Sequence, residues 1–178
     1  MKQQKTEQQQ QKNMGYLMII AMWALIFGLL AFLFQDVLDK QNNPNQQLSG
    51  SLTENDIREL VLQRNRYGHY VASGLINNQD VTFMLDTGAT DVSIPARVAD
   101  RIGLKRGIKM RYQTANGPIS VYATKINRIS IGNIELQNVR ATINPNVSDM
   151  EVLLGMSFLK KLEFTQRGNT LTIRQYPQ

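Results

Sequence analysis

The sequence predicts an all-β domain, a sandwich or small barrel with one or two short helices, preceded by a transmembrane helix. Three observations predict it. From His69 onward, short apolar segments recur at even spacing between Asn-, Asp- and Gly-bearing turns, as in sandwiches and small barrels. Ahead of them, Gly15 to Phe34 is uncharged and almost wholly apolar. A helix of that length spans about 30 Å, the thickness of a bilayer's hydrocarbon core. Finally, the apolar strand Phe83-Met84-Leu85 runs straight into Asp86-Thr87-Gly88. An acid at the end of a core strand is costly unless it has a task.

Taken in order, residues 1–14 are a Gln-rich tail with Lys2, Lys5 and Lys12 against Glu7. Residues 15–34 are the membrane span. The stretch is longer than a signal-peptide core, and Leu33-Phe34-Gln35-Asp36 offers no small-x-small cleavage site. Basic residues stay on the cytoplasmic side, so the tail is expected inside and the domain outside the cytoplasm, in the periplasm of a cell with two membranes. Residues 35–53, with Gln and Asn around Pro44, read as a flexible linker. Residues 54–178 make the folded domain.

Within it, Thr53-Glu54-Asn55-Asp56 resembles a helix N-cap, and Ile57, Leu60 and Val61 follow at helical spacing. A helix over about Glu54–Gln63 is expected. Strands follow at His69–Ile76 and Val81–Leu85 around the turn Asn77-Asn78-Gln79-Asp80. Another strand covers Asp91–Ile94, and a helix runs from Pro95 to Gly103. Ile108–Thr114 and Ile119–Ile131 flank Ala115-Asn116-Gly117-Pro118, and Gly132-Asn133 turns into Ile134–Ile143. Leu153-Leu154 is a strand and Met156–Lys160 one helical turn. Leu162–Gln166 and Leu171–Gln175 close the chain as a hairpin.

Composition excludes several classes. The 178 residues carry a net charge of +6, but Lys and Arg are spread along the domain. The densest run, Arg101, Lys105, Arg106, Lys109 and Arg111, reads as a solvated face, and no nucleic-acid partner is expected. With no cysteine there is no disulfide framework, thiolate metal site or Cys nucleophile. A single histidine, His69, argues against a Ser-His-Asp triad or a His-rich metal site. No metal or cofactor is expected.

Carboxylates alone can hydrolyse a peptide if two of them share a proton. One, ionised, takes a proton from water, and the other, neutral, donates to the carbonyl oxygen. The domain has one Asp-Thr-Gly, and Asp80, Asp91, Asp100 and Asp149 supply no second copy. A symmetric homodimer with one Asp86 per chain is the simplest solution.

Leu85-Asp86-Thr87-Gly88-Ala89 with Val92-Ser93-Ile94, followed by Leu153-Leu154-Gly155-Met156-Ser157-Phe158-Leu159, resembles the retropepsins, homodimeric single-domain aspartic proteases. With Gly68-His69-Tyr70, the likeness is closer to their bacterial membrane-anchored relatives (clan AA) and covers about residues 66–176. The resemblance implies a retropepsin-like acid-protease fold, a small closed barrel. It implies that Asp86 is the catalytic carboxylate and that Thr87, Gly88 and Ala89 support its loop, Thr87 bonding to its counterpart across the dimer axis. Leu153, Leu154 and Gly155 would lie under the active site. Ala115, Asn116 and Gly117 would tip a flap that covers a peptide or protein substrate, with Tyr112 and Tyr122 each able to reach the site or the core. Ala89 offers the carboxylates no hydroxyl, and mildly acidic working conditions are expected. The function read from the sequence is a membrane-anchored aspartic endopeptidase. The alternative is a retropepsin-like domain that binds peptide or dimerises with little or no hydrolysis.

Overall fold

The computed structural model describes residues 2–53, 55–114 and 117–177. Glu54 and the expected flap tip, Ala115 and Asn116, lie outside the described residues. The chain divides into two units, Met1–Asp39 and Lys40–Gln178. The first is one helix, α1 (Lys2–Asn42), which runs on into the start of the second unit. Within it, Gly15–Asn42 is long and apolar enough to cross a membrane, with a mean hydropathy of 2.7. Its large apolar side chains are exposed, which suits a hydrocarbon surrounding.

The second unit is mostly β. Its strands are β1 (Ser51–Leu52), β2 (Arg58–Gln63), β3 (Val71–Ile76), β4 (Gln79–Leu85), β5 (Val92–Pro95), β6 (Lys109–Thr114), β7 (Gly117–Ile131), β8 (Ile134–Asn144), β9 (Glu151–Leu154), β10 (Glu163–Arg167) and β11 (Thr170–Gln175). Two short helices, α2 (Ala96–Arg101) and α3 (Met156–Leu159), sit between strands. The larger sheet has the order β3-β4-β9-β5-β8-β7-β6. It closes on itself where Leu75 and Ile76 of β3 pair with Ser130 and Ile129 of β7. The smaller sheet has the order β1-β2-β11-β10. Fully buried Phe83, Ile94, Ile126, Ile129, Ile143, Leu154 and Phe158 fill the barrel, while Leu60 and Leu62 of β2 join the same core.

Most turns have a local cause. Asn77 and Asn78 both take positive φ, the backbone of a two-residue hairpin turn whose twist matches its strands. Gly103, at φ +70°, ends α2, and the Leu104 N–H bonds back to the Ala99 carbonyl.

Two expectations fail. In place of the helix expected over Glu54–Gln63, the described residues form a turn at Asn55-Asp56 followed by β2. Leu60 and Leu62 point inward while Glu59, Val61 and Gln63 do not, a period of two. Six residues of β2 pair with β11, more than a hundred positions away. That ladder overrides the helical spacing of Ile57, Leu60 and Val61, and the cap-like residues make a turn, with the Asp56 N–H bonded to the Thr53 carbonyl. The flexible linker also needs correction. Residues 35–42 are helical, and Asn45 is buried. Its carboxamide donates to the Gln63 and Val71 carbonyls at 2.9 and 2.6 Å and accepts from the Gln63 N–H at 2.7 Å. Asn45 therefore bridges the start of β3 to the end of β2, a role that its Gln/Asn-rich neighbourhood conceals.

Candidate active site

The site is built where β4 ends. β4 and β9 run parallel, with Leu85 beside Leu154. Beyond β4 the chain leaves the sheet as a loop, residues 86–91, which neighbouring backbone fixes at both ends. The Leu85 N–H bonds the Tyr70 carbonyl at 3.0 Å and the Asp86 N–H bonds the Leu154 carbonyl at 3.3 Å. The loop's own turn is closed by the Ala89 N–H on the Asp86 carbonyl at 3.3 Å. The Asp86 carboxylate is half-buried and accepts the Gly88 N–H at 2.9 Å. That bond orients the acid, which has no side-chain partner among the described residues. Thr87 and Gly88 are exposed beside it.

Beneath the loop, Leu153 and Leu154 complete β9, and Gly155 begins α3. The Met156 and Ser157 N–H groups, free at the start of that helix, donate to the Ala89 and Thr90 carbonyls at 2.8 and 2.9 Å. Gly155 lies so close under the loop that a Cβ there would meet the Asp91 and Ala89 carbonyl oxygens at 2.3 and 2.6 Å. Only glycine permits this approach. The buried Ser157 hydroxyl accepts the Val92 N–H at 3.0 Å and donates to the Arg140 carbonyl at 2.7 Å, binding the loop's far end to β8. Thus Asp86, Thr87, Gly88, Ala89, Leu153, Leu154 and Gly155 are brought together.

Gly117 stands apart from this group. It opens β7 opposite Thr114 in the β6–β7 hairpin, with φ +103° and open space where a Cβ would go. The Thr114 hydroxyl donates to its carbonyl at 2.7 Å.

Asp91 has a role that the sequence did not disclose. By sequence it reads as the start of a strand and as an acid outside any second Asp-Thr-Gly. Its side chain is 1% exposed, and one carboxylate oxygen accepts from Arg140 Nε at 2.6 Å. The other accepts from the Tyr112 hydroxyl. Tyr112 therefore spends its hydroxyl on the loop's far end rather than on Asp86. Burial, then the bond to Asp91, pushes its pKa up to about 12. The Asp91 bond also raises the Arg140 pKa, although the guanidinium is 67% exposed to water. Tyr122 is half-buried, packed against the core, with Arg106 over its ring. Separations of 21 residues from Asp91 to Tyr112 and 49 to Arg140 give no hint of the Asp91 cluster, because its members come from the loop, β6 and β8.

Asp86 and Thr87 open onto a cavity of about 320 Å³ whose wall includes Arg64, Tyr70, Leu159, Phe164 and Gln166. His69 also borders it, exposed and with its backbone in the turn closed by Asn65.

Comparison with known proteins agrees with this architecture. Residues 72–161, half of the chain, match the family described as "gag-polyprotein putative aspartyl protease". A solved structure of a retropepsin-like aspartic protease from Rickettsia conorii is 28% identical, with a TM-score of 0.58, covering 72% of this chain and 96% of that one. An uncharacterized protein of a Sinorhizobium species is 33% identical over 121 residues, 66% of this chain. One from Rickettsia prowazekii (strain Madrid E) is 27% identical over 164 residues, 88% of this chain and 70% of its own. The chain spans about half, 52%, of the Sinorhizobium relative. By the family match, and by a barrel in which β9 and Gly155 underlie the Asp86-Thr87-Gly88 loop, the chain belongs to the gag-polyprotein aspartyl protease family and has the retropepsin-like fold.

Proposed function

We propose that this chain is a membrane-anchored aspartic endopeptidase, active as a homodimer in which each copy contributes Asp86. One observation carries the reading. A half-buried carboxylate, oriented by the Gly88 N–H, stands on a loop bonded to neighbouring backbone at both ends, and each chain has one Asp-Thr-Gly loop. Rigid presentation of an acid is what acid–base chemistry needs.

In the dimer one Asp86 is ionised and its counterpart protonated, since two carboxylates about 3 Å apart do not both ionise easily. The ionised one takes a proton from water as the oxygen attacks the peptide carbon. The protonated one gives its proton to the carbonyl oxygen, and a tetrahedral diol results. Return of a hydroxyl proton to a carboxylate and protonation of the nitrogen break the C–N bond, leaving an acid and an amine. Thr87 and its counterpart hold the two loops together. Ala89 packs in the loop, and Leu153, Leu154 and Gly155 support it from below. Ala115, Asn116 and Gly117 tip the flap over an extended peptide. No metal or cofactor takes part.

The helix at Gly15–Asn42 anchors the chain, with the Lys-bearing tail inside and the domain outside the cytoplasm. Confinement to a membrane raises the effective concentration of a second copy.

The test is peptide cleavage by the full chain in lipid nanodiscs across pH 3–8, wild type against Asp86→Ala. The expected result is cleavage that peaks in mild acid and falls at least about a thousandfold in the variant. Equal rates for the two proteins would overturn the proposal.

A further inference from the structure

The tether meets the domain at a clamp, residues 41–45. Pro44 disfavours a helical backbone at Asn43, and α1 ends at Asn42. The last carbonyls of a helix lack donors from within it. Here the Gln41 carbonyl accepts the Arg66 N–H at 3.5 Å, and the Asn42 carbonyl accepts from Asn65 Nδ2 at 3.0 Å. Arg66 Nη1 also donates to Gln41 Oε1 at 3.2 Å. The Asn43 carboxamide donates to the Ser73 hydroxyl and accepts the Asn45 N–H, both at 3.0 Å. The Asn45 carbonyl accepts the Ser73 N–H at 3.1 Å. With the three bonds of its buried carboxamide, Asn45 is thus held by both β2 and β3. All of these contacts lie within the second unit.

The clamp leads on to the Asp86 loop. Asn65 Oδ1 accepts the His69 N–H at 2.9 Å, and the Asn65 N–H donates to the His69 carbonyl at 2.8 Å. The next carbonyl, of Tyr70, accepts the N–H of Leu85, the residue before Asp86. Arg64, His69 and Tyr70 also wall the cavity onto which Asp86 and Thr87 open. A few hydrogen bonds therefore connect the end of α1 to the acid.

Anchoring alone needs none of this. A Gln- and Asn-rich run would tether the domain without a single contact, and ordering it costs conformational entropy. What the clamp adds is a fixed length. From Gln35 to Gln41 the chain reaches at most about 25 Å. Leu48 is the next residue packed against the core, and a tether released as far as Leu48 would reach about 50 Å.

We propose that the Asn43–Asn45 clamp is a ruler that holds the Asp86 cavity close to the bilayer. Its substrates are then polypeptides that are themselves membrane-attached, cut within about ten residues of extended chain from the membrane. This rests on the proposed anchor and protease reading. Single-span or lipid-anchored chains on the same side of the membrane fit this geometry.

The test places one insertion on either side of the clamp, in the full chain in phosphatidylcholine vesicles. About twelve Gly and Ser residues, a segment spanning roughly 20 Å, go between Asp39 and Lys40 or between Gln47 and Leu48. The chain has no cysteine, so a dye on Lys160→Cys, next to Leu159 of the cavity wall, reports the distance to an acceptor dye in the lipid. The vesicles also carry a single-span substrate whose arm repeats a peptide cleaved by the wild type, at increasing distances from the span. The insertion before the clamp is expected to lift the dye by roughly 20 Å and to move the cuts outward along the arm about twofold. The insertion after the clamp is expected to change neither. Combined with Asn45→Ala, it should act like the first. Equal lifts from both insertions, or none from either, overturn the clamp. An asymmetric lift with an unchanged pattern of cuts overturns the limit on substrates and leaves the protease reading standing. An asymmetric lift with no cleavage by any form upholds the clamp and overturns the protease reading, and the substrate class with it. A chain that does not float with the vesicles overturns the anchor itself.

Discussion

The loop at residues 86–91 and the described margin of the β6–β7 hairpin, Thr114 and Gly117, are held in opposite ways. The first rests on other elements at every step: Tyr70 and Leu154 at its start, Met156 and Ser157 beneath, Ser157 again at its end. The second has at its described margin only its own hairpin's contacts, the Thr114–Gly117 ladder pair and the bond from the Thr114 hydroxyl to the Gly117 carbonyl. Gly155 is glycine because backbone oxygens crowd the place of a Cβ, whereas Gly117 is glycine because of its φ, with space around it. A loop that presents an acid needs fixed geometry, while a covering hairpin has to admit and release a chain. Among the described residues the two are joined at the base, where Tyr112 of β6 donates to Asp91 of the loop.

Substitutions can break this contrast or sharpen it. The largest effect is expected from Gly155→Ala, which drives a Cβ into two carbonyl oxygens. A loss of about 3 kcal/mol or more is expected by chemical denaturation, together with loss of any cleavage. A neutral result would mean that the loop is not pinned from below. Next is Asp91→Ala, which leaves the Tyr112 hydroxyl and Arg140 without their carboxylate. Because Arg140 is largely in water, the loss should be about 2–3 kcal/mol, less than for a wholly buried pair, read from the shift of the denaturation midpoint. Gly117→Ala should follow at about 1–2 kcal/mol, from backbone strain alone, with kcat/KM reduced more than stability. If it destabilised as much as Gly155→Ala, the hairpin tip would be as tightly packed as the loop.

The smallest effect is one of pH. Tyr112 titrates near its ordinary value of 10 when unfolded and at about 12 when folded. Its contribution to stability is complete below pH 10. Above that, the unfolded chain loses its proton first, so the contribution shrinks and is gone once pH passes about 12. Urea midpoints measured from pH 9 to 11 should fall in the wild type and fall less in Tyr112→Phe. Parallel curves would detach Tyr112 from Asp91.

How much of this was legible depends on the range of the interactions. The Asp86-Thr87-Gly88 loop and Leu153-Leu154-Gly155 could be read because each is a contiguous run whose chemistry stands in a few adjacent residues. The Asn77-Asn78 turn was legible for the same reason. The Asp91 cluster was not, because the loop, β6 and β8 each supply one member and the sequence separations carry no pattern. Asn45 was hidden similarly, in a run of polar residues that looks solvated until its carboxamide is seen between β2 and β3.

The segment Arg58–Gln63 shows the boundary most clearly. Its local spacing admits a helix, and only the arrival of β11 across more than a hundred residues turns Leu60 and Leu62 to one face of a strand. By itself the sequence determined the apolar helix, the strand-and-turn rhythm and the acid at the end of β4, because periodicity, turn residues and the cost of burying charge act over a few neighbours. Only the tertiary structure decided the closure of β3 on β7, the strand β2 and the carboxylate that Tyr112 and Arg140 share. Each depends on distant segments meeting, and pairing energies of that kind are released only once the chain has folded.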